Sequence, residues 1–157
     1  GVGIARDLAG RGWRVLLCAL DAVGSAPFWA PVTRRNGVWR HLVDNAIYYT
    51  PSSPDKPGMV TARVLADTFG HVLLLQVEDS GPGVPEAERE LVFQPFYRAL
   101  GSEADGSGLG LPIVMEIARQ HEAEVTLEDA NPGQQPPGAR FTVRFAARMP
   151  DTDAPQG

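Results

Sequence analysis

Cysteine and lysine are nearly absent from these 157 residues, each occurring once, as Cys18 and Lys56. A single cysteine excludes an internal disulfide. Its place in the apolar run Val15-Leu16-Leu17-Cys18-Ala19-Leu20 predicts a buried thiol, which a reducing compartment would tolerate. The shortage of lysine, the scattered arginines and a net charge of -5 exclude a nucleic-acid surface, because neutralising phosphates takes clustered cations. No apolar stretch nears the roughly 20 residues of a membrane helix. The opening Gly1-Val2-Gly3-Ile4 shows neither an initiator methionine nor a basic leader with a cleavage site, so a membrane anchor is expected only upstream of it. What is present, 43% hydrophobic and 21% charged side chains, suffices for one sizeable core and one globular domain.

Proline and glycine mark the breaks in that domain. Pro51 to Gly58 contains Pro51, Pro54 and Pro57, which leave neither a helix nor a strand room to run. Gly101 to Gly108 is rich in Gly, Ser and Asp and has almost no apolar side chain to hold it down. Residues 148–157 read as a disordered tail and residues 1–12 as the end of a linker helix, leaving 13–147 for the domain. Within it, Arg14 to Leu20 has a strand pattern. Thr33 to Tyr49 reads as a helix capped by Thr33, with Val38, Leu42, Ala46 and Tyr49 on one face and Val43 and Ile47 beside them. Met59 to Asp67 and Val72 to Glu78 read as a hairpin joined by Thr68-Phe69-Gly70-His71, and a short helix is expected near Pro85 to Val92. Leu109 to Gln120 has an apolar helical face of Leu109, Ile113, Val114 and Ile117. Val125 to Leu127 and Ala139 to Ala146 read as strands bridged by the turn-forming stretch Asn131 to Gly138. Strands outnumber helices, and each helix is long enough to cover a sheet face, which predicts an α+β fold built as a two-layer α/β sandwich.

Four segments carry candidate chemistry. In Leu42-Val43-Asp44-Asn45-Ala46-Ile47-Tyr48-Tyr49-Thr50-Pro51, Asn45 lies late in a helix whose apolar face packs on the sheet. That leaves its amide oxygen available to a hard cation such as Mg²⁺, or simply solvated. In Asp79-Ser80-Gly81-Pro82-Gly83 the carboxylate follows an apolar strand and can accept from a ligand amine, although the sequence also makes a good turn. Gly81 and Gly83 let bare backbone approach a flat purine. Phe93-Gln94-Pro95-Phe96-Tyr97-Arg98 spaces two phenylalanines as core residues at the base of the following loop. Gly106-Ser107-Gly108-Leu109-Gly110-Leu111 puts glycines at a helix N-terminus, where free N–H groups and the dipole favour phosphate; a glycine cluster alone more often means a loop. No Gly-x-x-x-x-Gly-Lys-Ser/Thr run is present, and the third glycine of the last segment comes too early for the dinucleotide fingerprint.

In this order and spacing the four segments resemble the N, G1, F and G2 boxes of bacterial sensor histidine kinases, members of an ATPase superfamily shared with gyrase, a heat-shock chaperone and mismatch-repair proteins. The resemblance covers roughly residues 13–147. It implies a Bergerat-type ATP-binding fold: a mixed, mostly antiparallel sheet covered on one face by about three helices, with a flexible lid over ATP. It implies that Asn45 ligates Mg²⁺ and that Asp79 takes the adenine exocyclic amine, which selects ATP over GTP. Tyr49, Gly81, Gly83, Phe96, Gly106, Gly108, Leu109, Gly110 and Leu111 are then nucleotide-binding positions. Phe93 and Phe96 dock the lid, and Arg98 is the candidate phosphate-contacting cation, with a solvated surface arginine as the alternative.

The function so implied is Mg-ATP-dependent transfer of the γ-phosphoryl group to a histidine on a separate dimerisation hairpin, with a response-regulator aspartate as final recipient. The setting is the cytoplasmic side of an inner-membrane sensor, reached through an upstream anchor. His121-Glu122 superficially resembles a phosphoacceptor, but Ala123-Glu124-Val125 leads straight into a strand, so His121 is expected to end a helix; His71 lies in a turn. The chain also departs from the family. His41 stands where an Asn is usual, four residues before Asn45; it is a catalytic candidate beside Asn45 and Arg98, and equally a tolerated polar substitute. Tyr48 and, in a shortened lid, Glu103 replace usual cations, which implies weaker ATP binding than in a typical member. Two alternatives follow: an anti-sigma-factor-type serine kinase, against which the Phe93 to Arg98 and Tyr49-Thr50-Pro51 segments argue, and a non-catalytic regulatory interaction module that binds nucleotide weakly or not at all.

Overall fold

The computed structural model describes residues 14–19, 37–67, 72–97 and 109–146. Strand β1 is Arg14–Ala19, helix α1 Val38–Tyr49, β2 Met59–Asp67, β3 Val72–Asp79, helix α2 Gly110–Gln120, β4 Glu124–Asp129 and β5 Ala139–Ala146. The strands form one five-stranded sheet in the order β1-β2-β3-β5-β4. β1 runs parallel to β2, and every other pairing is antiparallel. With α1 and α2 packed together and α1 on β2 and β3, this is the expected two-layer sandwich.

Period-2 alternation decides what each strand presents. Along β3 the inward positions are Leu73, Leu75, Val77 and Asp79, and along β5 they are Ala139, Phe141, Val143 and Phe145. The helices answer at their own period, with Val38, Leu42, Val43 and Ala46 from α1 and Leu111, Val114 and Ala118 from α2. These side chains, Asp79 apart, join one core cluster. The opposite sheet face is polar near the β3–β5 junction, where Glu78 accepts from both Arg63 and Arg140.

Several boundaries differ from expectation, each for a local reason. α1 begins at Val38 and not near Thr33, because Gly37 takes a left-handed conformation (φ 65°) that interrupts any helix running into it; Thr33 lies outside the described residues. Its C-terminal stop is also written in the chain: Thr50 precedes Pro51 and is extended, as the residue before proline prefers. The short helix expected near Pro85 to Val92 is instead two 3₁₀ turns, Glu86–Glu88 and Leu91–Phe93. Neither buries a residue fully, and so short a segment cannot meet the cost of α-helix nucleation. The two strands pair as the expected hairpin, with Asp67 opposite Val72 and β3 running one residue past Glu78 to Asp79, while the turn, with His71, lies outside the described residues.

α2 ends as expected at His121. Glu122 in a left-handed conformation turns the chain, and the N–H of Ala123 reaches back to the Ala118 carbonyl at 2.7 Å. β4 is an edge strand of six residues, longer at both ends than its apolar centre suggested. Leu20, the Gly101 to Gly108 loop, and residues 1–12 and 148–157 also fall outside the described residues, and the side chain of Cys18 is not described.

Candidate functional site

Because Asp79 is the last inward position of β3, strand periodicity points its carboxylate into the molecule, where it is 8% exposed. Its Oδ1 accepts from the Gly81 N–H at 2.9 Å and the Ala139 N–H at 3.1 Å. Burial pushes its pKa above the ordinary carboxylate value, and those two N–H groups pull against that shift. Oδ2 makes no hydrogen bond among the described residues, so one acceptor remains for a ligand donor.

The loop after Asp79 is held by backbone at close quarters. A Cβ on Gly81 would lie 3.1 Å from Asp79 Oδ1, 3.1 Å from the Tyr49 carbonyl oxygen and 3.2 Å from Thr50 Oγ1. The end of α1 and the end of β3 therefore meet at this glycine. Thr50, 3% exposed, donates from its hydroxyl to the Ala46 carbonyl at 2.6 Å and fixes the α1 terminus there. Gly83 (φ 75°) abuts Pro137 and Gly138; Gly138 (φ 67°) donates its N–H to the Gly81 carbonyl at 3.0 Å, and any Cβ on it would overlap the Asp79 carbonyl oxygen. Only glycine satisfies both demands at Gly138.

On the other side of Tyr49 opens a cleft of about 250 Å³. It is lined by His41, Asp44, Asn45, Tyr48 and Tyr49 of α1, by Val92 and Tyr97, and by Gly110, Leu111 and Pro112 of α2. His41, Asn45 and Tyr48 recur at helical spacing, which places them on one strip of α1. No side-chain hydrogen bond engages the Asn45 amide among the described residues, so its oxygen is available as a donor to a hard cation. Across the cleft, α2 starts without a side-chain cap, and its first helical bond runs from Ile113 N–H to the Leu109 carbonyl. The N–H groups of Gly110 and Leu111 thus have no acceptor within the helix and, with the dipole, make an anion-favouring end. His41 Nδ1 lies 4.0 Å from where a Gly110 Cβ would be, so the imidazole faces this helix end. No Lys or Arg is among these cleft residues.

His41, Asn45, Tyr49, Gly110 and Leu111 thus share the cleft. Asp79, Gly81 and Gly83 form an adjoining wall through Tyr49, whose side lines the cleft and whose carbonyl faces Gly81. Leu109 is the residue preceding α2 and is 36% exposed. Arg98, Glu103, Gly106 and Gly108 lie outside the described residues. The pairing of Phe93 with Phe96 as core residues is corrected. Phe93 packs edge-on against Phe141 (ring centroids 6.2 Å), but Phe96 is 72% exposed. The 3₁₀ turn stops at Phe93 and Phe96 is left-handed (φ 63°), so residues three apart no longer share a face. Sequence reasoning missed Thr50, Gly138, the Ala139 N–H and Tyr97. For Gly138 the available signal was a glycine immediately before a core strand, which was read only as part of a turn.

The family model for histidine kinase-, DNA gyrase B- and HSP90-like ATPases matches residues 36–149. The signal transduction histidine-protein kinase/phosphatase MprB of Mycobacterium sp. (strain KMS) is 42% identical over 109 residues, 69% of this chain and 20% of the relative. MprB of Mycobacterium tuberculosis (strain ATCC 25618 / H37Rv) is 40% identical over 117 residues, 73% of this chain and 22% of the relative. The chain therefore spans about a fifth of the length of these curated relatives. Among solved structures, the mycobacterial sensor histidine kinase MprB is similar with a TM-score of 0.72 and 25% identity, covering 95% of this chain and 91% of that one. Full-length ShkA, solved in complex with AMPPNP, shares the fold at a TM-score of 0.67 and 22% identity, covering 94% of this chain and 29% of that one. With the inward acid, the glycine-walled loop and the uncapped helix end on adjoining walls, the chain belongs to the histidine kinase-, DNA gyrase B- and HSP90-like ATPase family, as an ATP-binding domain of the kind the sensor histidine kinases carry.

Proposed function

We propose that this domain binds Mg-ATP between α1, α2 and the Asp79 loop and presents the γ-phosphate to a histidine on a separate helical hairpin of the same polypeptide or its dimer partner. The observation that carries this reading is a buried Asp79 whose Oδ1 is held by two backbone N–H groups, whose Oδ2 accepts from none of the described residues, and which sits beside Gly81 and the Tyr49 carbonyl. A carboxylate held by two backbone N–H groups keeps its second oxygen oriented for one donor, which suits an exocyclic amine. Lacking side chains, Gly81 and Gly83 let the loop close against the α1 terminus, Pro137 and Gly138, which holds the main chain that would face the base. At the other end, the Gly110 and Leu111 N–H groups and the imidazole of His41 favour the phosphates.

Asn45 is the residue here that would hold Mg²⁺, and its unengaged amide oxygen fits a cation that takes few protein ligands and completes its shell with phosphate and water. When bound, the ion supplies charge neutralisation on the phosphates. The chain's own contribution is orientation, since phosphoryl transfer asks little covalent work of protein groups. Arg98, the glycines of the Gly106 to Gly108 segment and Phe96 complete the site from the lid side in this reading. The whole sensor is proposed to lie in the inner membrane, with this domain on the cytoplasmic side and a response-regulator receiver domain as the recipient of phosphate. The regulatory-module alternative draws on one observation, the cleft's lack of Lys and Arg among its described lining.

The deciding experiment incubates this domain with labelled ATP, Mg²⁺ and the separately expressed upstream hairpin. Acid-labile label on the hairpin's histidine is expected, lost with Asn45→Ala. Nucleotide binding without transfer would favour the regulatory module, and acid-stable label on serine the serine-kinase alternative.

A further inference from the structure

We infer that Arg89 is a positioning residue for base recognition, acting on the Asp79–Val84 loop from outside the nucleotide site. The inference rests on the reading that this loop receives the purine.

The loop is anchored at its first half by the β4–β5 end of the sheet: Ala139 N–H donates to Asp79 Oδ1 and Gly138 N–H to the Gly81 carbonyl. Its second half rests Gly83 on Pro137 and Gly138 and packs Val84 against the core, and the one side-chain hydrogen bond it receives among the described residues comes from Arg89, whose Nε donates to the Val84 carbonyl at 3.1 Å. The same guanidinium places Nη2 3.0 Å from Asp129 Oδ1, with the two side chains 26% and 33% exposed. Asp129 is the last residue of β4, and its cross-strand partner is Ala139. The connections close on themselves, from Asp79 through the loop to Val84, then Arg89, Asp129, Ala139 and back to Asp79. Both ends of the glycine-bearing loop are thereby referred to one point of the sheet.

The consequence is specific. Guanidinium geometry allows one side chain to serve a carbonyl and a carboxylate at once, which an ammonium does less well. Without this hydrogen bond Asp79 stays in place, while Gly83 and the second half of the loop are held by packing against Pro137, Gly138 and the core alone and shift against the base. A base no longer seated firmly on the glycine loop also lies less squarely against the Asp79 oxygen, so adenine loses part of its amine contact as well, which guanine does not make, and discrimination falls along with affinity.

The test measures dissociation constants for Mg-ATP and Mg-GTP on the whole 157-residue chain, together with melting temperature. Arg89→Gln and Asp129→Asn are each expected to weaken ATP by about fivefold and GTP by less, the scale of one well-placed hydrogen bond. The double variant should cost no more than either single one, because the two residues act as a unit, and Arg89→Lys should fall between. A merely structural role lowers the melting temperature and the active fraction without changing the ATP:GTP ratio; that result, or additive losses, would overturn the inference. The underlying reading fails separately: a wild-type chain that binds neither nucleotide, or an Asp79→Asn variant with undiminished ATP affinity, overturns both.

Discussion

Asp79 is an acid in a place that disfavours its charge, retained because two backbone N–H groups fix one of its oxygens and leave the other for use. Its raised pKa sets the sign of a stability prediction. The native state holds this proton at pH values where the unfolded chain has released it, so the contribution of Asp79 is greatest below the ordinary aspartate pKa and is lost as pH rises through the raised one. Asp79→Asn keeps an oxygen for Gly81 and Ala139 and carries no charge. Its melting temperature is therefore expected to gain on wild type progressively from about pH 3.5 upward, while nucleotide binding falls because an amide N–H₂ now faces the ligand amine. Thermal melts across that range check it; an advantage that shrinks with rising pH would contradict the assignment. The sequence places Asp79 just past a strand ending at Glu78, whereas β3 runs through Asp79 and its alternation turns the carboxylate inward. The two backbone donors to that carboxylate were not legible, since Ala139 is 60 residues away and no local pattern joins them. Asn45 and His41 were legible as helix-borne polar groups near the apolar face, whereas the exposure of Phe96 depends on a left-handed turn that its residue type does not announce.

Among the elements, the helices and strands that bury a full face were readable and the marginal ones were not. β2 and β5 match their apolar patterns end to end, and α2 misses by one residue. Glu86–Phe93 failed as a helix because nothing in it is fully buried to repay nucleation. The β4–β5 connection is where a turn signal concealed a structural role, since its last residue, Gly138, is clamped between Asp79 and Gly81. Gly138→Ala would force both a left-handed alanine and an overlap with a backbone oxygen. We expect a loss of about 2–4 kcal/mol, a fall in melting temperature of roughly 5–15 °C, and weaker nucleotide binding. Calorimetric melting checks this. An unchanged melting temperature would mean that the connection yields freely and does not brace the loop.

At the level of the whole molecule, the site belongs to neither layer. The sheet supplies the acid and the glycine loop, the helices supply the amide, the imidazole and the uncapped helix end, and the Tyr49–Thr50 corner joins the two. Such an arrangement lets a single core hold both ends of an elongated ligand at fixed separation, which is what positioning for phosphoryl transfer requires. The order of the four sequence segments foretold this convergence only through resemblance, because spacing along the chain does not fix distance across it. Its most direct test is an amide-resolved NMR titration of the domain with Mg-ATP. The account predicts that the Gly81, Ala139, Tyr49, Gly110 and Leu111 amides shift together with one saturation curve; shifts confined to one of the two walls, or two unrelated curves, would contradict it.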